Sequence, residues 1–128
     1  MPKIKTFHSG DAQFDVFRTA GEGYQKICQW VGPENGAPYQ AGIAELSRIR
    51  IVDYEFTFDD FLFVLEGEVS IIQEDETSTL RPGNAVFIPK GSVVTIEVPD
   101  RLLWTYTAYS GDTHWKDAAS VPSAVEEL

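Results

Sequence analysis

The sequence predicts an all-β domain, a sandwich or barrel, on three observations. Short apolar or alternating runs recur between turn signals along the chain, helical periodicity is nearly absent, and two glycine-anchored blocks run from Asp59 to Val69 and from Arg81 to Val94. The candidate strands are Phe14–Arg18, Tyr24–Val31, Ala41–Ser47, Ile49–Thr57, Phe61–Leu65, Val69–Gln73, Thr77–Leu80, Ala85–Ile88, Val93–Val98 and Leu102–Tyr109. Many short strands at this spacing need closure or double layering to protect their edges.

The elements follow from local chemistry. Between the second and third strands, Gly32-Pro-Glu-Asn-Gly-Ala-Pro38 is dense in turn formers and reads as a loop. Ser47-Arg-Ile-Arg-Ile alternates strictly, so one strand face is cationic and the other apolar. Phe61–Leu65 ends at the turn Glu66-Gly67-Glu68, and Val69–Gln73 continues as its paired strand. In the second block Pro82-Gly83 turns, Ala85–Ile88 extends, and Pro89-Lys-Gly-Ser92 turns again before Val93–Val98. The tail from Trp115 to Leu128 reads as a short helix interrupted at Pro122.

A chain of 128 residues with 43% hydrophobic content is expected to form one domain, residues 1–128, around one core. Ten basic residues against twenty acidic ones give a net charge of −10, which argues against nucleic acid and anionic membrane surfaces as partners. No run approaches the roughly 20 apolar residues of a membrane span, and Met1-Pro-Lys-Ile-Lys5 has no apolar signal core. A soluble, cytoplasmic protein is expected. Cys28 is the single cysteine and excludes an intrachain disulfide; within Ile27-Cys-Gln-Trp30 it reads as a buried structural thiol.

The two blocks resemble the conserved motifs of the cupin superfamily, which implies a single-domain jelly-roll β-barrel with its best-matched core over about residues 41–115. Asp60 is followed by six residues and Gly67, as an acidic ligand is in the first motif; Gly83, Pro89 and Gly91 fall into the second. The resemblance also implies metal-binding histidines, and these are absent: Asp53-Tyr-Glu55 stands near the place of His-x-His, and Val94 stands where a further histidine belongs. His8 and His114, the two histidines, lie outside the motifs. Together with Ile88-Pro-Lys-Gly-Ser92, the aromatic strand Trp104–Tyr109 and Trp115, the first block is similar to EutQ-type cupins of ethanolamine utilization, which also lack the histidines and keep an acid at the Asp60 position. That group is associated with acetate kinase activity. No P-loop-type glycine-rich phosphate loop is visible here, and the acidic balance disfavours ATP, so the activity is not carried over.

The matched positions offer Asp53, Glu55, Asp60 and Val94 in place of about three imidazoles and a carboxylate. Such oxygens suit a hard ion better than iron, manganese or nickel, and no metal or other cofactor is expected. Because residues two apart share a strand face, Asp53 and Glu55 point together, by motif alignment inward beside Asp60; a slip of one residue would instead turn Tyr54 and Phe56 inward. Clustered carboxylates repel, so at least one should stay protonated near neutrality and serve general acid and base roles. Tyr106 and Trp104 share one face of the late strand; the first can donate to a substrate oxygen and the second can stack on a flat ligand, or both are core packing. Arg48 and Arg50 bind an anionic group if their face is inward and are surface charges if it is outward.

The expected function is metal-independent acid–base catalysis on a small carbonyl-bearing or aromatic metabolite, of isomerase, lyase, dehydratase or cyclase type. Asp60, Glu55 and Tyr106 are the candidate catalytic residues; Asp53, Tyr54, Trp104, Arg48 and Arg50 are the candidate substrate contacts. The alternatives are a non-catalytic small-molecule-binding module and an assembly protein of a metabolic compartment. The resemblance further implies a homodimer, with residues Lys3 to Arg18 as a candidate contact.

Overall fold

Apolar side chains placed on one face through two unusually long runs, Gln40–Glu55 and Val93–Tyr109, produce the two strands on which the others are hung. In the computed structural model, which describes residues 2–111 and 120–128, the strands are β1 (Asp15–Ala20), β2 (Gly23–Val31), β3 (Gln40–Glu55), β4 (Asp59–Gly67), β5 (Val69–Gln73), β6 (Glu76–Leu80), β7 (Ala85–Ile88), β8 (Val93–Tyr109) and β9 (Ala124–Glu127). The sheet runs β1-β2-β3-β8-β4-β7; β5 pairs with β6 and β8, and β9 with β3. Every pairing described is antiparallel. This is the all-β, cupin-type barrel that the motifs imply.

Two expected strand pairs prove continuous. The breaks anticipated near Arg48 and between Val98 and Leu102 are absorbed within β3 and β8, where the register passes from Ser47 opposite Arg101 to Ile49 opposite Val98. Arg48 takes a left-handed backbone conformation, φ 48°, at this irregularity. A bulge lets a strand bend without ending, so each long strand serves two sets of neighbours. The first half of β3 lies between β2 and β8; its second half lies between β9 and β8.

The tail also departs from expectation. Residues 124–127 form a strand, not a helix, pairing with residues 49–52 of β3. Pro122 blocks helix continuation, Val125 packs against the core, and Glu126 and Glu127 meet arginines on β3. Trp115 and His114 lie outside the described residues.

Inside the barrel, Leu46, Ile49, Ile51, Val64, Val69, Val98 and Leu102 are completely buried. Burial of each aliphatic side chain contributes roughly 1.5–3 kcal/mol. A second cluster, Cys28, Ile43 and Leu103, lies under Ala12, Phe14 and Trp30, and Phe7 stacks on Trp30 with ring centroids 5.4 Å apart. The N-terminal segment thus packs on its own barrel, and Cys28 is a buried core thiol. Phe61, Phe63 and Leu65 of β4 and Phe87 of β7 are exposed outward. Among the described residues no helix is long and apolar enough to cross a membrane.

The β4–β5 turn requires glycine twice over. Gly67 has φ 81°, and a Cβ there would stand 1.8 Å from the Arg101 carbonyl oxygen. Gly91 shares the left-handed conformation, φ 91°, with open space around it. Gly67→Ala is expected to lower stability by more than about 2 kcal/mol, against roughly 1 kcal/mol for Gly91→Ala. Urea unfolding of both variants measures the difference, and equal losses would show that the Arg101 clash is readily relieved.

Candidate functional site

Where inward side chains are large the barrel is filled, and where they are small a cavity opens. Ala44 and Ala108 supply the small residues of its wall; beside it Gly42 sits opposite Tyr106 in the β3–β8 register, where a Cβ would stand 2.1 Å from the Cys28 carbonyl oxygen and 3.0 Å from the Tyr106 hydroxyl. The resulting cavity of about 90 Å³ has Asp60, Tyr106, Gln25 and Gln40 as polar wall and Phe17, Tyr54, Phe56, Phe58 and Trp104 as aromatic wall. At about 10–15 Å³ per water-sized position it takes a guest of roughly six to nine non-hydrogen atoms.

Asp60 is set by the two-residue period of β4. It shares the inward face with Leu62 and Val64, while Asp59 turns outward and accepts a hydrogen bond from the Lys90 backbone N–H at 2.8 Å. Asp60 Oδ1 is shut away from water with no hydrogen-bond partner among the described residues. Burial raises the Asp60 pKa well above the ordinary carboxylate value, opposed only in part by the Phe61 backbone N–H.

Tyr106 lies across from Leu62, two residues along the ladder from Asp60, and its hydroxyl is likewise buried and unpartnered. Burial first, then Cys28, Asp60 and Glu34, pushes its pKa far upward, so the phenol remains a neutral donor. Each buried unsatisfied group costs about 1–3 kcal/mol. Two in one cavity mark a place where a ligand's polar atoms would recover that energy.

Tyr54 and Phe56, and not Asp53 and Glu55, face the cavity. The register of β3 against β8 shifts between Ile51 and Tyr54, and Asp53 adopts φ 53° there. Phe56 is then locked to the Pro89–Ser92 turn, donating to Ser92 O at 2.9 Å and accepting from Gly91 N–H at 2.8 Å. Tyr54 and Phe56 meet edge to face at 4.9 Å. Asp53 and Glu55 are exposed; the Asp53 carboxylate accepts from Ser123 Oγ at 2.9 Å. The expected trio of carboxylates is therefore a single one, and repulsion between acids is not what raises Asp60.

Arg48 and Arg50 also lie outside the cavity. Ile49 and Ile51, fully buried, occupy the inward face, so Arg48 pairs outside with Glu22 at 2.9 Å and Glu127 at 3.1 Å. Arg50 reaches Glu97 at 2.9 Å and Glu126 at 3.0 Å. Such exposed pairs contribute about 0–1 kcal/mol each. Of the expected site residues, Asp60, Tyr106, Tyr54 and Trp104 are brought together; Glu55, Asp53, Arg48 and Arg50 are not.

Sequence reading missed Gln25, Gln40, Phe17, Phe58 and Arg18. A polar Gln25 two residues before Ile27, on the inward face of β2, was the available signal for the first. Arg18 had none, because a bulge between Val16 and Arg18 turns both Phe17 and Arg18 toward the barrel. Burial lowers the Arg18 pKa, opposed by Tyr54; burial raises that of Tyr54, opposed by Arg18.

The donor set of this cavity is one carboxylate, phenols and amides, which does not fit an imidazole-rich transition-metal centre. Among the described residues no three His, Cys, Asp or Glu side chains gather to hold a metal ion.

Comparison with known proteins points in one direction. The family model described as ethanolamine utilisation protein EutQ matches residues 4–117. A curated relative from Salmonella typhimurium, named acetate kinase EutQ, is 26% identical over 106 residues, 83% of this chain and 46% of its own length. The chain thus spans about half the length of that relative. The crystal structure of an ethanolamine utilization protein Q from Salmonella typhimurium aligns with TM-score 0.74 at 24% identity, covering 84% of this chain and 87% of that one. The polyketide cyclase RemF from Streptomyces resistomycificus shares the fold at TM-score 0.67 and 17% identity, over 98% and 86% of the two chains.

The raised pKa of Asp60 has a stability consequence of definite sign. Between the unfolded carboxylate value and the higher folded one, the native state holds a proton that the unfolded state has released, so stability falls as pH rises through that window. Asp60→Asn removes the loss. The variant should melt above the parent protein at pH 7, with the gap closing below about pH 3.5, where both states carry the proton. Thermal melts at the two pH values check this, and a variant less stable at pH 7 than at pH 3.5, relative to the parent, would contradict a buried, proton-holding Asp60.

Proposed function

Because this chain belongs to the EutQ family, with the cupin-type fold of its structural relatives, we propose that its cavity carries out acid–base chemistry on a small carbonyl compound. One observation carries the reading: Asp60 Oδ1 and the Tyr106 hydroxyl lie buried and unpartnered in the same aromatic-walled space. A carboxyl whose pKa burial raises well above the ordinary carboxylate value is a stronger base once ionised, and a phenol held neutral donates to developing negative charge.

In this reaction ionised Asp60 takes a proton from the carbon next to the carbonyl, becoming a neutral carboxyl, while the bond electrons pass to the carbonyl oxygen. Tyr106 donates a hydrogen bond to the resulting enolate. Return of the proton to a different atom gives isomerisation; loss of a leaving group gives elimination; attack on a second carbonyl closes a ring. The cyclase named among the structural relatives fits the last outcome, although at 17% identity it supports the fold alone.

The name acetate kinase belongs to relatives of which the match covers less than half the length. Among the described residues the cavity lining contains no lysine, arginine or glycine, the groups with which proteins cradle phosphate, and this weighs against extending that activity to this site. A binding module that holds the same class of molecule without turnover is the second reading, favoured by the narrowness of the cavity.

Hydrogen–deuterium exchange at the α-carbon of cyclopentanone in D2O, followed by NMR, tests the proposal directly. The protein should accelerate exchange, Asp60→Asn should abolish the acceleration, and Tyr106→Phe should reduce it by about 10²-fold. Because the base must be ionised, the rate should climb with pH through the raised Asp60 pKa. Exchange no faster with the parent protein than with Asp60→Asn would rule catalysis out, and saturable binding in the same samples would then identify the binding module.

A further inference from the structure

Arg18 stands directly across the β1–β2 ladder from Gln25. Its Nη1 donates to Gln25 Oε1 at 2.8 Å, and its Nη2 donates to the Ser120 carbonyl at 2.9 Å. The guanidinium lies over two rings that also line the cavity, 4.0 Å from the Phe17 centroid and 4.9 Å from that of Tyr54. It is therefore held by two rings and at two of its nitrogens.

A guanidinium can only donate. Its partner on Gln25 must be the amide oxygen, so the end of Gln25 left to serve the cavity is the NH2 group. Gln25 is 8% exposed and forms part of the cavity wall. The Tyr106 hydroxyl, unpartnered among the described residues in the same space, is a second donor, and Asp60 is a third in its protonated form, which burial favours and which prevails below its raised pKa. A ligand bringing its own N–H groups would face donors with donors, whereas an oxygen with two free lone pairs would satisfy them together.

We infer that Arg18 locks Gln25 as a hydrogen-bond donor toward the cavity, so that the site selects small molecules presenting a carbonyl or carboxylate oxygen and rejects amines of the same size. Gln25 is the recognition residue and Arg18 the positioning residue behind it. The inference rests on this cavity being the functional site, but not on turnover there.

Ligand-observed NMR titration of the whole chain with cyclopentanone, cyclopentanecarboxylate and cyclopentylammonium tests it. The ketone and the carboxylate should bind at least about tenfold more tightly than the ammonium ion. Gln25→Glu keeps an oxygen for Arg18 but replaces the amide donor with an acceptor, and it should weaken the two oxygen-bearing probes by about tenfold or more. Arg18→Met frees Gln25 to rotate and should narrow the gap between ketone and ammonium, with ring binding retained. A merely structural role for Arg18 would instead weaken all three probes in parallel. That result, equal affinity for cyclopentylammonium, absence of binding by the oxygen-bearing probes, or ketone affinity in Gln25→Glu within twofold of the parent would each overturn the inference. Selective binding without α-proton exchange would leave it standing while removing the catalytic proposal.

Discussion

The pairing of β3 with β8 is the constraint from which the rest of this structure follows. The two strands stay hydrogen-bonded from Gln40 opposite Ala108 to Glu55 opposite Val93; β2 and β9 pair with β3, β4 and β5 pair with β8, and β1, β6 and β7 attach through those neighbours. Two irregularities in that ladder do the shaping. The first, at Arg48, allows one pair of strands to serve both halves of the barrel. The second, at Asp53, rotates the end of β3 so that aromatic rings, and not acids, close the cavity wall. A strictly regular ladder would have preserved the alternation set by Ile49 and Ile51 and brought Asp53 and Glu55 inward.

The cavity inherits its chemistry from this geometry. Removing two acids from the wall leaves Asp60 as a lone carboxyl among rings and amides, so desolvation governs its proton affinity. The same arrangement leaves Asp60 Oδ1 and the Tyr106 hydroxyl without partners among the described residues, an energetic cost that apolar residues in their place would not carry. On the proposed function, this is the cost that a bound guest would recover. Around it, the acidic surface is tied down by arginines: Arg48, Arg50 and Arg101 each meet two carboxylates, and the excess negative charge stays outside the barrel.

The matches to curated members of the family cover less than half of those proteins' own length, so this chain corresponds to one part of them. The fold shared with them is supported along most of the chain, while the residues that give the cavity its polarity come from β2, β3, β4 and β8 together. Function in such a barrel resides in what the wall presents, since one fold hosts many reactions.

By itself the sequence determined the strand-rich architecture, the turns at Gly67, Gly83 and Gly91, and the shared face of Trp104 and Tyr106, because each depends on local backbone preference or on a two-residue period read within one strand; the inward placement of Asp60 followed from the motif resemblance, since the run Phe61–Leu65 is apolar on both faces. Tertiary structure decided the rest. Whether Tyr54 or Asp53 faces inward turns on a register shift between β3 and β8 and on hydrogen bonds from Phe56 to the Pro89–Ser92 turn, and neither has a signature in the neighbouring residues. The tail became a strand because β3 offered Ala124–Glu127 an unpaired edge and arginine partners, an opportunity that exists only after folding. Arg18 reached Gln25 through a bulge in β1, and the polarity of that amide follows from a partner on another strand. Period and turn chemistry are properties of a segment; register, bulges and amide orientation are properties of the contact between segments.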